Sequence, residues 1–118
     1  MNTRQNPREI AIKLLKRSIC KIQMAAVLTD KNGCNFGWGW NYPTPDGFSM
    51  HAEFHAIFKA NPKRLKGSRI IIVGRRQRSG NFVYSRPCKN KCLLLIKSVG
   101  ISEIEFIAPS GEWKTEKI

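Results

Sequence analysis

The feature that most constrains this chain is a pair of short motifs, His51-Ala52-Glu53 and Pro87-Cys88-Lys89-Asn90-Lys91-Cys92. An imidazole and two thiols are groups that bind zinc well. Three protein ligands are typical of a catalytic zinc, which keeps its fourth position for water, whereas a structural zinc usually has four. The motifs therefore predict a fold that brings His51, Cys88 and Cys92 together in an open zinc site.

Glu53 is the carboxylate placed to assist such a zinc without binding it. It lies two residues after His51, so on one helical turn it can reach a metal-bound water. Zinc lowers the pKa of that water to about 7, which makes hydroxide available at neutral pH. Glu53 would take the water's proton and pass it to a leaving group. We therefore expect hydrolytic chemistry with Glu53 as the catalytic residue.

Length and cysteine content predict one domain, over residues 1–118, in a reducing compartment. A chain of 118 residues can bury one core but not a second independent one. Its four cysteines lack the spacing of a secreted disulfide framework. No apolar run is long enough for a signal sequence or a membrane span. We expect a cytoplasmic protein with no membrane partner.

The charge of the chain predicts a polyanionic partner. It carries 21 Lys and Arg against 8 Asp and Glu, a net charge of +13, and such a charge attracts nucleic acid. Arg75, Arg76 and Arg78 form the densest basic cluster and are expected in a surface loop after the third strand. The alternative is that they are an ordinary solvated charge run. We assign them, with His55, as candidate nucleic-acid contacts.

The order of elements predicts an α/β fold. A helix that starts at Pro7 is followed by strands over 22–29 and 35–41, a helix over 51–60, a strand over 69–75, a helix over 88–99 and strands over 101–108 and 113–118. The turn at 109–112 is too short for a crossover helix, so the last two strands should be antiparallel. The result is a mixed five-stranded sheet with helices on both faces.

Aromatic residues near the first motif have two interpretations. Trp38 and Trp40 alternate with two glycines in the second strand, and they could pack in the core or stack on bases; packing is favoured. The glycine face would let a helix or ligand approach closely. Tyr42, in the following loop, is the better stacking candidate. His55 shares the helical face of His51 and could either pack or contact substrate. Phe58 is expected in the core.

Residues 22–118 resemble the zinc-dependent cytidine and deoxycytidylate deaminase superfamily, whose signature joins H-x-E with P-C-x-x-C. The resemblance implies a three-layer fold, zinc ligation by His51, Cys88 and Cys92, and a proton shuttle at Glu53. It also implies that Asn41 holds a sugar and that backbone near the two motifs lines the base. The expected substrate-binding residues are Asn41, Tyr42, Ala52, Ser85, Arg86 and Pro87.

The chain departs from that signature in its cysteine spacing, which is C-x3-C instead of C-x2-C. On a helix, the residues at i+3 and i+4 both lie on the face of residue i, so both sulfurs can still reach one metal. The Asn-x-Glu sugar clamp of tetrameric free-cytidine enzymes is also absent, because Tyr42 and Pro43 follow Asn41. This weakens assignment to that subfamily.

The resemblance implies deamination of cytosine to uracil, and three functions remain open. The first is a deaminase of single-stranded DNA or RNA, which the charge slightly favours. The second is a deaminase of free cytidine, deoxycytidine or dCMP. The third is a catalytically silent zinc module that binds nucleic acid, although a purely structural zinc has no use for Glu53. Assembly into a homo-oligomer is compatible with each.

Overall fold

A computed structural model describes residues 4–118 and places a five-stranded sheet between two layers of helix. The helices are α1 (Pro7–Leu14), α2 (Ala52–Lys59) and α3 (Cys92–Ser98), with 3-10 turns at Leu15–Arg17 and Pro62–Arg64. The strands are β1 (Ile22–Thr29), β2 (Asn35–Trp40), β3 (Tyr42–Pro43), β4 (Ser49–Met50), β5 (Arg69–Arg76), β6 (Glu103–Ile107) and β7 (Trp113–Lys117).

The main sheet has the strand order β2-β1-β5-β6-β7. Its β5–β6 pair is parallel, and the other three pairs are antiparallel. A parallel pair needs a long crossover connection, and the segment that contains α3 supplies it. The short β3–β4 hairpin lies outside this sheet. The mixed five-stranded sheet and the antiparallel final pair are therefore confirmed.

One face of the sheet is covered by α1. Asn6 caps this helix by accepting a hydrogen bond from the backbone N–H of Arg8, and Pro7 occupies the first helical turn. Apolar side chains at helical spacing then pack against β1 and β5. Trp38 and Trp40 pack against this same core, as the packing interpretation predicts. The buried residues of this layer are Ile10, Ala11, Leu14, Leu15, Ala25, Val27, Ile71, Val73 and Ile107.

The opposite face is covered by α2 and α3, whose buried residues pack on β1, β5 and β6. Ile57 is buried in this core, whereas Phe58 is 64% exposed, so its expected core position is wrong. Helical geometry explains the difference, because α2 is short and Phe58 lies on its outer side, next to Phe54. The two helices begin at the same end of this face, which brings the two sequence motifs together.

Two element boundaries differ from the sequence prediction. The third helix begins at Cys92 instead of Cys88, so Cys88 lies in the turn before it. Strand β5 continues to Arg76, so Arg75 and Arg76 are strand residues and only Arg78 lies in the following turn. Cross-strand pairing with Ile22 and Gln23 of β1 extends the strand, a contact that local sequence does not reveal. No helix within residues 4–118 has the length and apolar character to span a membrane.

Candidate metal centre and substrate cavity

The candidate metal ligands meet where α2 and α3 begin. His51 is the residue that precedes α2, and Cys92 is the first residue of α3. His51 Nδ1 lies 3.2 Å from Cys92 Sγ, and the ligand atoms of His51, Cys88 and Cys92 all lie within 4.8 Å of one another. Donor atoms gathered this closely suit one zinc ion, whose bonds to N and S are about 2.0–2.3 Å long. The donor set therefore fits zinc.

The cluster is open on one side. His51 and Cys88 are exposed, whereas Cys92 is buried. Within the part of the chain that the structure describes, no further His, Cys, Asp or Glu joins the three ligands. Burial, followed by the nearby Glu53 carboxylate, raises the pKa of the Cys92 thiol. Zinc binds thiolates, so metal binding at this position releases a proton.

The turn that contains Cys88 accommodates the longer cysteine spacing. The backbone N–H of Cys92 donates to Cys88 Sγ at 3.2 Å, and the N–H of Leu93 donates to the Cys88 carbonyl at 3.0 Å. These bonds hold the first cysteine over the start of α3. The two sulfurs therefore converge through a turn, and the expected explanation from a shared helical face is wrong.

Glu53 lies in the first turn of α2 and is only 5% exposed. Burial raises the pKa of its carboxyl above the ordinary value, although its own backbone N–H, Cys92 and His51 oppose this shift. A buried carboxyl beside the ligand cluster can both accept and return a proton. Its position next to Cys92, with no direct role in the ligand cluster, suits proton transfer at a metal centre.

A cavity of about 230 Å³ opens onto this centre. Three expected substrate-binding residues line it, namely Asn41, Ala52 and Arg86. Sequence reasoning missed Met24, Ser49 and Met50. Ser49 and Met50 form β4 immediately before His51, a position that could have suggested them, whereas Met24 enters only through strand pairing. The full lining is Met24, Asn41, Ser49, Met50, His51, Ala52, Glu53, Arg86, Cys88 and Cys92.

The side chain of Asn41 is largely occupied by structural hydrogen bonds. Its Oδ1 accepts from the Ser18 hydroxyl at 2.6 Å and from the Met24 backbone N–H at 2.8 Å. Its Nδ2 donates to the Ile22 carbonyl at 2.8 Å. These bonds tie the end of β2 to the start of β1. One amide N–H has no partner within residues 4–118 and is the group that Asn41 can offer to a ligand.

Tyr42 and His55 contact each other outside the cavity. Their rings meet edge to face with centroids 5.0 Å apart. His55 Nδ1 lies 3.1 Å from both the backbone N and the carbonyl O of Trp40. Burial, followed by the charge of Lys59, lowers the pKa of His55, which favours a neutral ring. His55 therefore joins α2 to the end of β2, and this geometry favours packing for it.

The remaining candidates do not line the cavity. Ser85 and Pro87 are buried beside the cavity segment, and the Ser85 N–H donates to the Ile107 carbonyl at 3.0 Å. Arg75 is half-buried, and its Nε donates to Gln23 Oε1 at 2.8 Å. Arg76 and Arg78 are exposed at the surface. Of the basic cluster, only these last two present a free basic surface.

The sequence matches the family described as the cytidine and deoxycytidylate deaminase zinc-binding region over residues 1–108. The chain belongs to this family, and its His and Cys cluster agrees with zinc as the metal. A comparison with curated protein sequences finds no match.

Solved structures give the same fold. The cytidine deaminase of Burkholderia pseudomallei aligns with a TM-score of 0.73 at 18% identity, covering 94% of this chain and 89% of that chain. The cytidine deaminase of Mycobacterium leprae aligns with a TM-score of 0.60 at 18% identity, covering 92% and 88%. At these identities the likeness establishes a shared fold, and the expected cytidine-deaminase-like architecture is confirmed.

Proposed function

We propose that this protein is a zinc-dependent hydrolytic deaminase that converts cytosine to uracil, with release of ammonia, in single-stranded nucleic acid. The observation that carries the chemistry is the position of buried Glu53 beside the cluster of His51, Cys88 and Cys92, all on one cavity. Family membership supports the same reaction class.

The residues of the cavity have separate tasks in the proposed reaction. Zinc, when bound, supplies the Lewis acidity that makes water a nucleophile at neutral pH. Glu53 would accept one proton from that water and deliver it to N3 of the cytosine, then take the second proton from the hydroxyl group added at C4 and deliver it to the amino group, which leaves as ammonia. The raised pKa of Glu53 suits both directions of transfer. Asn41 and Ala52 border the space in which the pyrimidine would lie.

Charge supports a polymeric substrate. A net charge of +13 is far more than one phosphate needs, and Arg76 and Arg78 are exposed. Sequence-independent binding of nucleic acid rests on such phosphate contacts. Arg75 presents less of its guanidinium, because it is half-buried and its Nε donates to Gln23.

A deaminase of free cytidine, deoxycytidine or dCMP is the second candidate. It is favoured by the fold shared with proteins whose titles name cytidine deaminases. A catalytically silent zinc module is disfavoured, because burying a carboxyl as Glu53 is buried costs stability and serves no purpose at a structural metal.

The deciding experiment follows uracil formation from cytidine, from dCMP and from a short single-stranded oligonucleotide at two salt concentrations. A polymer substrate predicts turnover of the oligonucleotide that falls steeply with salt, because phosphate contacts release counterions. Turnover of the mononucleosides alone, with little effect of salt, would reject the polymer and leave the free-substrate deaminase.

A further inference from the structure

The segment that leads into Cys88 presents three different chemical groups to solvent. The backbone N–H groups of Val83 and Ser85 donate to the carbonyls of Gly74 and Ile107, which fixes the segment across the ends of β5 and β6. Three residues of the segment reach solvent: Tyr84 and Cys88 are exposed, and Arg86 is half-buried. In an extended chain, alternate residues share a face and lie about 6–7 Å apart.

Arg86 offers a free cationic edge at the cavity. Its Nε donates to Glu116 Oε2 at 2.9 Å, and its Nη2 donates to Glu116 Oε1 at 3.2 Å. Its Nη1 has no hydrogen-bond partner within residues 4–118. No other Lys or Arg from that range lines the cavity. Glu116 of β7 therefore orients a guanidinium that retains donors for an anion at the entrance.

Tyr84 lines a second, larger groove and lies two residues along the chain from Arg86. The groove has a volume of about 720 Å³ and is bordered by Arg76, Asn81, Tyr84 and Ser110 among others. The side chain of Tyr84 is 58% exposed, and its ring meets Phe106 edge to face at 5.5 Å. An exposed, supported aromatic ring with a nearby arginine is a combination that binds an unpaired base and its phosphate.

We propose that this outward face, Tyr84, Arg86 and Cys88 with the adjoining groove, is the path of a single nucleic-acid strand. The target cytosine enters the cavity at Cys88, and Arg86 Nη1 binds the phosphate next to it. Tyr84 stacks on the neighbouring base, and Arg76 binds a phosphate farther along. This inference rests on the proposed function and deepens it, because it assigns the strand a direction across the surface.

Charge complementarity argues for this occupant. Among residues 4–118, the solvent-accessible Lys, Arg, Asp and Glu side chains that line the two openings, the groove and the cavity, are Arg76 and Arg86. The acidic residue next to them, Glu116, is already bonded to Arg86. A polyanion gains from both arginines, whereas a free nucleoside would use neither the groove nor Tyr84. The phosphate at Arg86 could belong to a free nucleotide or to a strand, and the experiment separates these two sources.

The test measures binding and deamination of a short oligonucleotide with one cytosine, and of dCMP and cytidine, by the zinc-loaded protein. Binding is also measured in the Glu53→Gln background, where turnover does not interfere. Arg86→Gln should lower the preference for phosphate-bearing substrates over cytidine by about 10- to 150-fold, the range for a charge-assisted hydrogen bond. It should also reduce the salt slope of oligonucleotide binding by about one.

Tyr84→Ala should weaken oligonucleotide binding about 5- to 150-fold, and Tyr84→Phe should restore it, because stacking needs only the ring. The wild-type protein should lose the same binding affinity when the base next to the cytosine, on the 5′ or the 3′ side, is removed to leave an abasic site. For that abasic oligonucleotide, Tyr84→Ala should weaken binding little further. If Arg86→Gln weakens the binding and deamination of dCMP but leaves those of the oligonucleotide unchanged, Arg86 serves free nucleotides and the proposed path is wrong.

The matched controls are Arg64→Gln and Phe58→Ala. Arg64 is paired with Asp30 at 2.6 Å much as Arg86 is paired with Glu116, and Phe58 is 64% exposed. Neither residue lines the two openings. If the oligonucleotide binds but Arg86→Gln and Tyr84→Ala behave like these controls, the path is wrong and the polymer substrate stands. If no oligonucleotide binds, both are wrong.

Discussion

Gly39 of β2 packs directly against Ala56 of α2, with no space for a side chain between them. A Cβ atom on Gly39 would lie 2.5 Å from the backbone N of Ala56 and 2.8 Å from the Ala52 carbonyl O. Glycine therefore sets the distance between β2 and α2. Because α2 carries Glu53 and follows His51, this contact also sets the depth of both residues in the fold.

Replacement of Gly39 by Ala is expected to destabilise the protein by about 1–3 kcal/mol, because the methyl group meets backbone that can move only with the whole helix. The change is measured by denaturant unfolding. Gly37→Ala is the matched control, since its nearest contact, at 2.9 Å, is the flexible end of Leu28. Gly37→Ala should cost less. Equal costs at the two positions would contradict the role of the Gly39 contact.

Replacement of Glu53 by Gln is expected to lower the turnover number by at least about 10²–10⁴-fold, the usual contribution of general acid–base catalysis. Zinc content should not change, because Glu53 lies outside the ligand cluster. Elemental analysis and uracil formation are measured on the same sample. Turnover that survives the substitution would remove Glu53 from the mechanism, and loss of zinc would make it a structural residue.

Removal of zinc by a chelator is expected to lower the melting temperature, because the metal binds the folded arrangement of ligands and stabilises it by mass action. Cys88→Ser should reduce zinc content and abolish most of this chelator effect. Cys34→Ser is the control, since Cys34 lies outside the ligand cluster. A Cys88→Ser protein with full zinc content would show that the metal is held elsewhere.

The contact between Arg8 and Glu105 predicts a pH-dependent contribution to stability. Arg8 donates two hydrogen bonds to the carboxylate, at 2.8 and 3.1 Å, and Thr115 donates a third. Burial favours a higher pKa for Glu105, but Arg8 and Thr115 outweigh it and hold the pKa below its ordinary value. The stabilisation is therefore full above the unfolded pKa and is lost as pH falls through the folded pKa.

Glu105→Gln is accordingly expected to cost about 1 kcal/mol at neutral pH, because Arg8 is partly exposed and its charge is screened. As pH falls through the folded pKa of Glu105, which lies below the ordinary value, the cost should shrink, because the wild-type carboxyl is then protonated too. Unfolding free energies measured at neutral and acidic pH provide the comparison. A cost that stays constant with pH would show that packing, and not charge, explains the effect.

Much of the fold follows from local patterns in the sequence. Apolar spacing identified the helices and strands, and the short turn before Trp113 fixed the antiparallel final pair. The start of α1 at Pro7 and the close approach at the glycines of β2 were also predictable, because each depends on one residue type. Boundaries that depend on pairing were missed. Strand β5 continues to Arg76 because β1 pairs with it, and Phe58 is exposed because it lies on the outer side of α2.

The candidate site was likewise predicted only in part from the sequence. The two motifs named His51, Glu53, Cys88 and Cys92 by residue type and spacing, and the structure places them on one cavity. Met24 lines that cavity because β1 pairs with β2, and its backbone N–H donates to Asn41 Oδ1. Glu116 accepts a hydrogen bond from Arg86, which lies 30 residues earlier in the chain. Neither contact leaves a local pattern, since each joins separate elements.

Residue type and short-range periodicity were enough to predict the metal donor set, the candidate general base, the basic charge and the order of elements, because these properties are local. Packing between distant segments decided that a turn, not a helix, brings Cys88 to Cys92, that the Asn41 amide bonds to β1 and Ser18, and that Tyr84 lines a groove while Arg86 lines the cavity. These outcomes depend on hydrogen bonds and packing between distant segments, whose geometry exists only once the sheet has assembled.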